Sequence, residues 1–132
     1  MSKERLYIFD TTLRDGAQTQ GVHFSIDEKT KIAHALDDLG VDYIEGGWPG
    51  ANPSDTEFFQ KGLDLKNSKF TAFGMTKKAG RSAENDPGLS AILNSNTKSV
   101  CLVGKSWDFH VDVALGITNE ENLENIKETT KH

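Results

Sequence analysis

Cysteine is nearly absent from this chain of 132 residues: Cys101 stands alone, so no internal disulfide can staple the fold. It sits in the apolar run Val100-Cys101-Leu102-Val103, which predicts a buried structural thiol rather than a nucleophile. No apolar run approaches the length of a membrane span, and the lead-in Met1-Ser2-Lys3-Glu4-Arg5 has no signal-peptide core. A basic excess is lacking too. The net charge of -5 and pI near 5.3 argue against nucleic acid or a membrane surface as the partner. The Gly104-Lys105 pair lacks the Gly-x4-Gly-Lys-Ser/Thr spacing of a phosphate loop. Neither an internal sequence repeat nor a low-complexity segment is present. These exclusions leave a soluble, cytoplasmic protein, with 1-132 a single domain large enough for a real core.

What is present alternates. Leu6-Tyr7-Ile8-Phe9 reads as a short buried strand. Ser25-Ile26-Asp27-Glu28 is a capping box that opens a helix, with Ile32, Leu36 and Leu39 on its apolar face and Gly40 as its stop. His34 lies off that stripe and His23 in a polar loop, so both are expected at the surface. Val41 to Glu45 is a second strand. Ser54-Asp55-Thr56-Glu57 reads as a second capping box, for a helix through Phe58, Phe59 and Leu63. A third strand spans Phe70 to Thr76, and a third helix runs from about Pro87 to Leu93. The fourth strand is Ser99 to Val103, and a fourth helix begins at Asn119. Four strand–helix alternations with short connections make an α/β protein of repeated βα units around a parallel sheet. Composition alone does not separate an open four-stranded sheet from part of a barrel.

The stretch Asp10-Thr11-Thr12-Leu13-Arg14-Asp15-Gly16-Ala17-Gln18 places a cation beside an anion where the first strand runs out. Neighbours on a regular strand point to opposite faces, so both can serve one site only if the strand has ended by Leu13. Asp15 offers a hard oxygen donor for a divalent metal. Arg14 offers a planar fork of N–H donors for a carboxylate or a developing oxyanion. A surface ion pair at a turn is the bland alternative. Glu45 ends the second strand and precedes Gly46-Gly47, a pair that lets backbone approach closely. Lys105 and His110 lie just past the fourth strand.

Thr12-Leu13-Arg14-Asp15-Gly16-x-Gln18 resembles the opening motif of the metallolyase-type barrel family. That family includes the 2-isopropylmalate, homocitrate and citramalate synthases and the hydroxymethylglutaryl lyases. A second block, Ile44-Glu45-Gly46-Gly47-Trp48-Pro49-Gly50-Ala51-Asn52-Pro53, follows at the expected place, and its wording is closest to the citramalate synthases. The resemblance covers nearly the whole chain and implies the N-terminal half of a TIM (β/α)8 barrel, since a complete one needs roughly 250 residues. It implies an acyltransferase that condenses acetyl-CoA with a 2-oxo acid, pyruvate favoured, in branched-chain amino acid biosynthesis. Asp15 would be a ligand to Mg, Mn or Zn. Arg14 would stabilise the keto or enolate oxygen, and Glu45 would be the buried acid that organises the site. Gln18 would line the same pocket. His110, in Lys105-Ser106-Trp107-Asp108-Phe109-His110, resembles a Ser-x-x-His segment that faces the substrate.

One departure matters more than the matches. The family completes its metal site with a His-x-His pair, and His23, His34, His110 and His132 contain none. The resemblance therefore implies an N-terminal portion that is inactive alone. A non-catalytic half-barrel that binds a 2-oxo acid or a partner is the rival reading. Half a barrel also leaves strand edges and an apolar sheet face open, with Ile8, Tyr43, Phe73 and Leu102 as candidates for that face. This predicts a homodimer.

Overall fold

A computed structural model describes residues 3–132; Met1 and Ser2, the start of the charged lead-in, lie outside them. Four parallel strands, β1 (Phe9–Asp10), β2 (Tyr43–Gly47), β3 (Lys69–Met75) and β4 (Ser99–Val103), form one sheet in the order β1-β2-β3-β4. Between them run α1 (Ile26–Leu39), α2 (Pro53–Lys61) and α3 (Pro87–Leu93). Beyond β4 come a helical turn, α4 (Asp108–His110), a π-helical turn over Val111–Leu115, and α5 (Asn119–Lys131). Among the described residues, no helix is long and apolar enough to cross a membrane.

The helices cover one face of the sheet. Ile44 packs with Leu13, Ala33, Val41 and Phe58, while Ala72 packs with Phe59, Leu89 and Ile92. Phe70 joins both clusters and Leu102 the second. Strand alternation then puts Tyr43, Glu45, Thr71, Phe73 and Cys101 on the opposite face, where Glu45, Thr71 and Phe73 are themselves buried. Of the four candidates for that face, Tyr43 and Phe73 lie there, Leu102 packs under the helices, and Ile8 precedes β1 and is exposed. Phe58, Phe59 and Phe70 pack together, with Phe59 stacked on Phe70 at 4.6 Å and Phe58 edge-on to Phe70 at 5.5 Å. Phe58 is fully buried, so truncating it to alanine costs roughly 3–5 kcal/mol.

Several expectations hold to the residue. Ser25 and Glu28 form the reciprocal capping box of α1, and Gly40 ends that helix at φ 87°. The limits of α3 and β4 coincide with those read from the sequence. Asn119 does begin α5, where Thr118 and Glu121 supply a further capping box. His23 and His34 are exposed.

Others are corrected. The first strand is not a buried run over Leu6 to Phe9: regular pairing covers only Phe9 and Asp10, and Leu6, Tyr7 and Ile8 are 81%, 63% and 54% exposed. This edge has β2 on one side only, and no helix covers those three residues. The second helix is capped by Asn52, whose side chain accepts the Asp55 N–H, with Pro53 following at the first helical position. Proline there fixes the entry to the helix, so the Ser54–Glu57 box does not form. Gly62 ends α2 before Leu63. On α1, Leu39 is 77% exposed, and the buried positions are Lys29, Ala33 and Asp37. Burial there falls on a row of four-residue spacing whose two charged members have polar partners.

Candidate active site

The site begins where β1 breaks. The N–H groups of Arg14, Asp15 and Gly16 all converge on the Thr11 carbonyl, while the Asp10 carboxylate accepts from the Thr12 N–H and hydroxyl. Leu13 is fully buried in the core and anchors this turn. The strand has ended by Asp10, so Arg14 and Asp15 are freed from opposite-face geometry.

Glu45 holds Arg14 across the top of the sheet. Its Oε2 accepts the Arg14 Nε–H at 2.7 Å, and the Glu45 side chain is 1% exposed. The Arg14 guanidinium also lies over the Phe73 ring, 4.1 Å from its centroid. Its Nη1 reaches Asp15 Oδ1 at 3.4 Å, while the Asp15 side chain is 62% exposed. Arg14 is therefore clamped at Nε and on one π face, with Nη1 at the long contact to Asp15, which leaves Nη2 as the donor without a partner among the described residues. Glu45 Oε1 is buried and has no hydrogen-bond partner, which is uncommon for a buried carboxylate and typical of functional positions.

Arg14 and Gln18 line one cleft of about 370 Å³, with Ala17, His23, Trp48 and Asn52. A larger cleft of about 650 Å³ adjoins it through Trp48 and Ala51 and runs past Met75, Lys78, Arg81 and Leu115. Cys101 is half-buried rather than buried, because it faces the open side of β4 while Leu102 takes the helix side. Burial first, then the neighbouring Glu45 charge, push its thiol up. That disfavours the thiolate and agrees with a structural role.

His110 does not join Arg14 and Glu45. It is exposed, sits edge-on to Trp107 at 4.5 Å and tilted to Phe109 at 6.2 Å, and its ring packs with these two aromatics rather than with the site. The Lys105 carbonyl accepts the Asn122 amide, which ties this segment to α5. Among the described residues, no three His, Cys, Asp or Glu side chains gather to hold a metal. Asp15 by itself is an incomplete site.

Sequence reasoning missed the support beneath Glu45. Lys29, buried on α1, donates to the Gly46 carbonyl at 3.1 Å and to Asp55 Oδ1 at 2.5 Å. Asp55 Oδ2 accepts the Trp48 N–H. Gly46 is required at its place, because a Cβ would lie 2.1 Å from the Phe70 ring. A Cβ on Gly47, at φ +151°, would meet the Asp55 carboxylate at 2.7 Å. The signal in the sequence was Lys29 on the same four-residue row as Ala33.

The HMGL-like family model matches residues 5–132. An (R)-citramalate synthase of Aquifex aeolicus is 50% identical over 131 residues, covering 98% of this chain and 25% of that protein. That of Streptomyces coelicolor is 47% identical over 132 residues, again 98% and 25%. 2-Isopropylmalate synthase 1 of Caldanaerobacter subterraneus is 35% identical over 133 residues, all of this chain and 32% of the relative. The chain thus spans about a quarter of the length of the citramalate synthases that it matches. Among solved structures, the HMG-CoA lyase of Bacillus subtilis superposes with a TM-score of 0.73 at 19% identity, over 98% of this chain and 42% of that one. That likeness concerns the fold, and the four βα units are a partial TIM barrel, as the resemblance implied. With the family model matched along almost its whole length, the chain belongs to the HMGL-like family.

Proposed function

We propose that this chain is the N-terminal portion of a Claisen-type acyltransferase that joins the acetyl group of acetyl-CoA to a 2-oxo acid. Pyruvate, giving citramalate, is the favoured acceptor. The observation that carries the reading is Arg14, just past the end of β1, held by the buried Glu45 of β2 and touching Asp15 only through Nη1, so that Nη2 remains to donate. The 44–50% identity to citramalate synthases supports pyruvate, and the lower identity to 2-isopropylmalate synthase makes a bulkier oxo acid the second choice. The matching relatives favour catalysis over a half-barrel binding module. A soluble enzyme of branched-chain amino acid biosynthesis in the cytoplasm fits the same reading.

In the reaction, a methyl proton of the acetyl thioester goes to a base, and the resulting enolate carbon attacks C2 of the oxo acid. A C–C bond forms, and the carbonyl electron pair moves onto oxygen. Arg14 donates a hydrogen bond to that developing alkoxide, where it is strengthened as charge builds. Glu45 holds the guanidinium plane in register, and Phe73 supports its face. Gln18 contributes a polar wall to the oxo-acid cleft, and His110 is proposed as a further contact to the substrate. Protonation of the alkoxide and hydrolysis of the thioester release product and the CoA thiol. Asp15 is proposed as one oxygen ligand to a divalent cation, Mg, Mn or Zn, which would supply Lewis acidity when its remaining ligands come from outside these residues.

The test is a chimaera in which this chain replaces the matching segment of the Aquifex aeolicus protein. Thiol release should be fastest with pyruvate. Faster release with 2-oxoisovalerate would reassign the acceptor, and no release with any 2-oxo acid would defeat the proposal.

A further inference from the structure

We propose that Lys29 and Asp55 form a positioning pair for this site, acting on Arg14 through Trp48 and Phe73. The geometry is continuous. Lys29 Nζ grips the Gly46 carbonyl, immediately after Glu45, and the Asp55 carboxylate. Asp55 in turn holds the Trp48 N–H at 3.0 Å and the Asn52 amide at 3.2 Å. Trp48 stands edge-on to Phe73, with 5.2 Å between ring centroids, and the Arg14 guanidinium lies over the same Phe73 ring. The grip falls on a bulge, since pairing with β3 slips between Glu45 and Gly47, and bulges re-aim side chains next to sites.

A buried ion pair is a poor source of net stability, because desolvating both charges offsets most of their attraction. Lys29 and Asp55 side chains are only 5% and 13% exposed, yet they spend their hydrogen bonds on the backbone that carries Glu45 and Trp48. That pattern suits holding a loop in one place better than holding the fold together. Two apolar residues in their stead would keep the fold and lose the register.

Two readouts test this. In the 132-residue chain with Trp107→Phe, Trp48 is the sole tryptophan. The pair Lys29→Met/Asp55→Asn removes both charges, so no lone buried charge is left to unfold the protein. Trp48 emission should shift to the red and become more accessible to acrylamide, with Asp55→Asn alone giving a smaller change of the same sign. Asp37→Asn is the control: it should lower the unfolding midpoint and leave Trp48 emission unmoved. Unchanged Trp48 emission in the charge-free pair would overturn the proposal.

The kinetic readout rests on the proposed function and uses the chimaera. There kcat should fall about tenfold or more, in line with the cost of small misplacements, and by more than KM for pyruvate rises. A red shift with kcat unchanged would also overturn the positioning role. An inactive parent chimaera would instead defeat the proposed function, and the emission of Trp48 alone would then decide for or against the pair.

Discussion

Removing the Arg14 charge while keeping its length is the most informative single change. In Arg14→Met, the flexible side chain still packs on Phe73, but Glu45 loses its partner. The Glu45 side chain is 1% exposed and its Oε1 has no other partner, so a lone buried carboxylate would remain. Breaking a buried pair from one side costs about 3–5 kcal/mol, a large share of the roughly 5–15 kcal/mol that holds a typical domain. The Arg14→Met/Glu45→Gln double variant removes both charges and should recover most of that loss. Urea unfolding of the parent, Arg14→Met, Glu45→Gln and the double variant at neutral pH, followed by circular dichroism, completes the cycle. A single variant within about 1 kcal/mol of the parent, the range of a solvated surface pair, would refute the claim that Glu45 is a desolvated anchor for Arg14.

Asp37 gives a pH test. Burial by itself would raise its carboxyl, but the N–H groups of Lys66, Asn67 and Ser68 and the Ser68 side chain bring it down to about 2. A carboxyl lower in the folded than in the unfolded state contributes stability above the unfolded value, so thermal stability should fall as pH drops from about 4 towards about 2. In Asp37→Ala that part of the acid sensitivity should vanish, with a loss of about 3 kcal/mol at neutral pH, read by calorimetry across a pH series. The isolated chain should release no thiol from acetyl-CoA with any 2-oxo acid and added Mg²⁺ or Mn²⁺; clear turnover would mean that it builds a complete site by another route. Its unpaired strand edges and the exposed apolar run Leu6 to Phe9 beside β1 should drive it to a dimer, and light scattering that shows a well-folded strict monomer at micromolar concentration would contradict this.

Capping boxes and glycine stops were legible in the sequence because their chemistry is local: Ser25 with Glu28 and Gly40 bracket α1 without help from the rest of the fold. The edge was not legible. Whether Leu6, Tyr7 and Ile8 are buried depends on what lies beside β1, and no pattern within the run itself reports that. Asn52 won over Ser54 because Pro53 and the Asp55 N–H fix the helix start two residues earlier. At the site, Arg14 and Asp15 could be picked out as residues past a strand end, whereas Glu45, read as ending the second strand, lies in the middle of β2, which runs on to Gly47; the resemblance gave all three their roles. The contact between Arg14 and Glu45, 31 positions apart, depends on strand pairing that no local pattern encodes. Lys29 was hidden for a related reason: a lysine on a helix reads as solvated until Asp55 and the Gly46 carbonyl are brought to it.

The most direct measurement is steady-state thiol release by the chimaera and two variants, with acetyl-CoA, pyruvate and Mn²⁺. Arg14→Lys keeps the charge but loses the fork, and should lower kcat by about a hundredfold or more, the scale of losing one oxyanion donor. Asp15→Ala should abolish metal-dependent turnover with the circular dichroism spectrum unchanged. Near-parental kcat in both variants would contradict the placement of the active site at the end of β1.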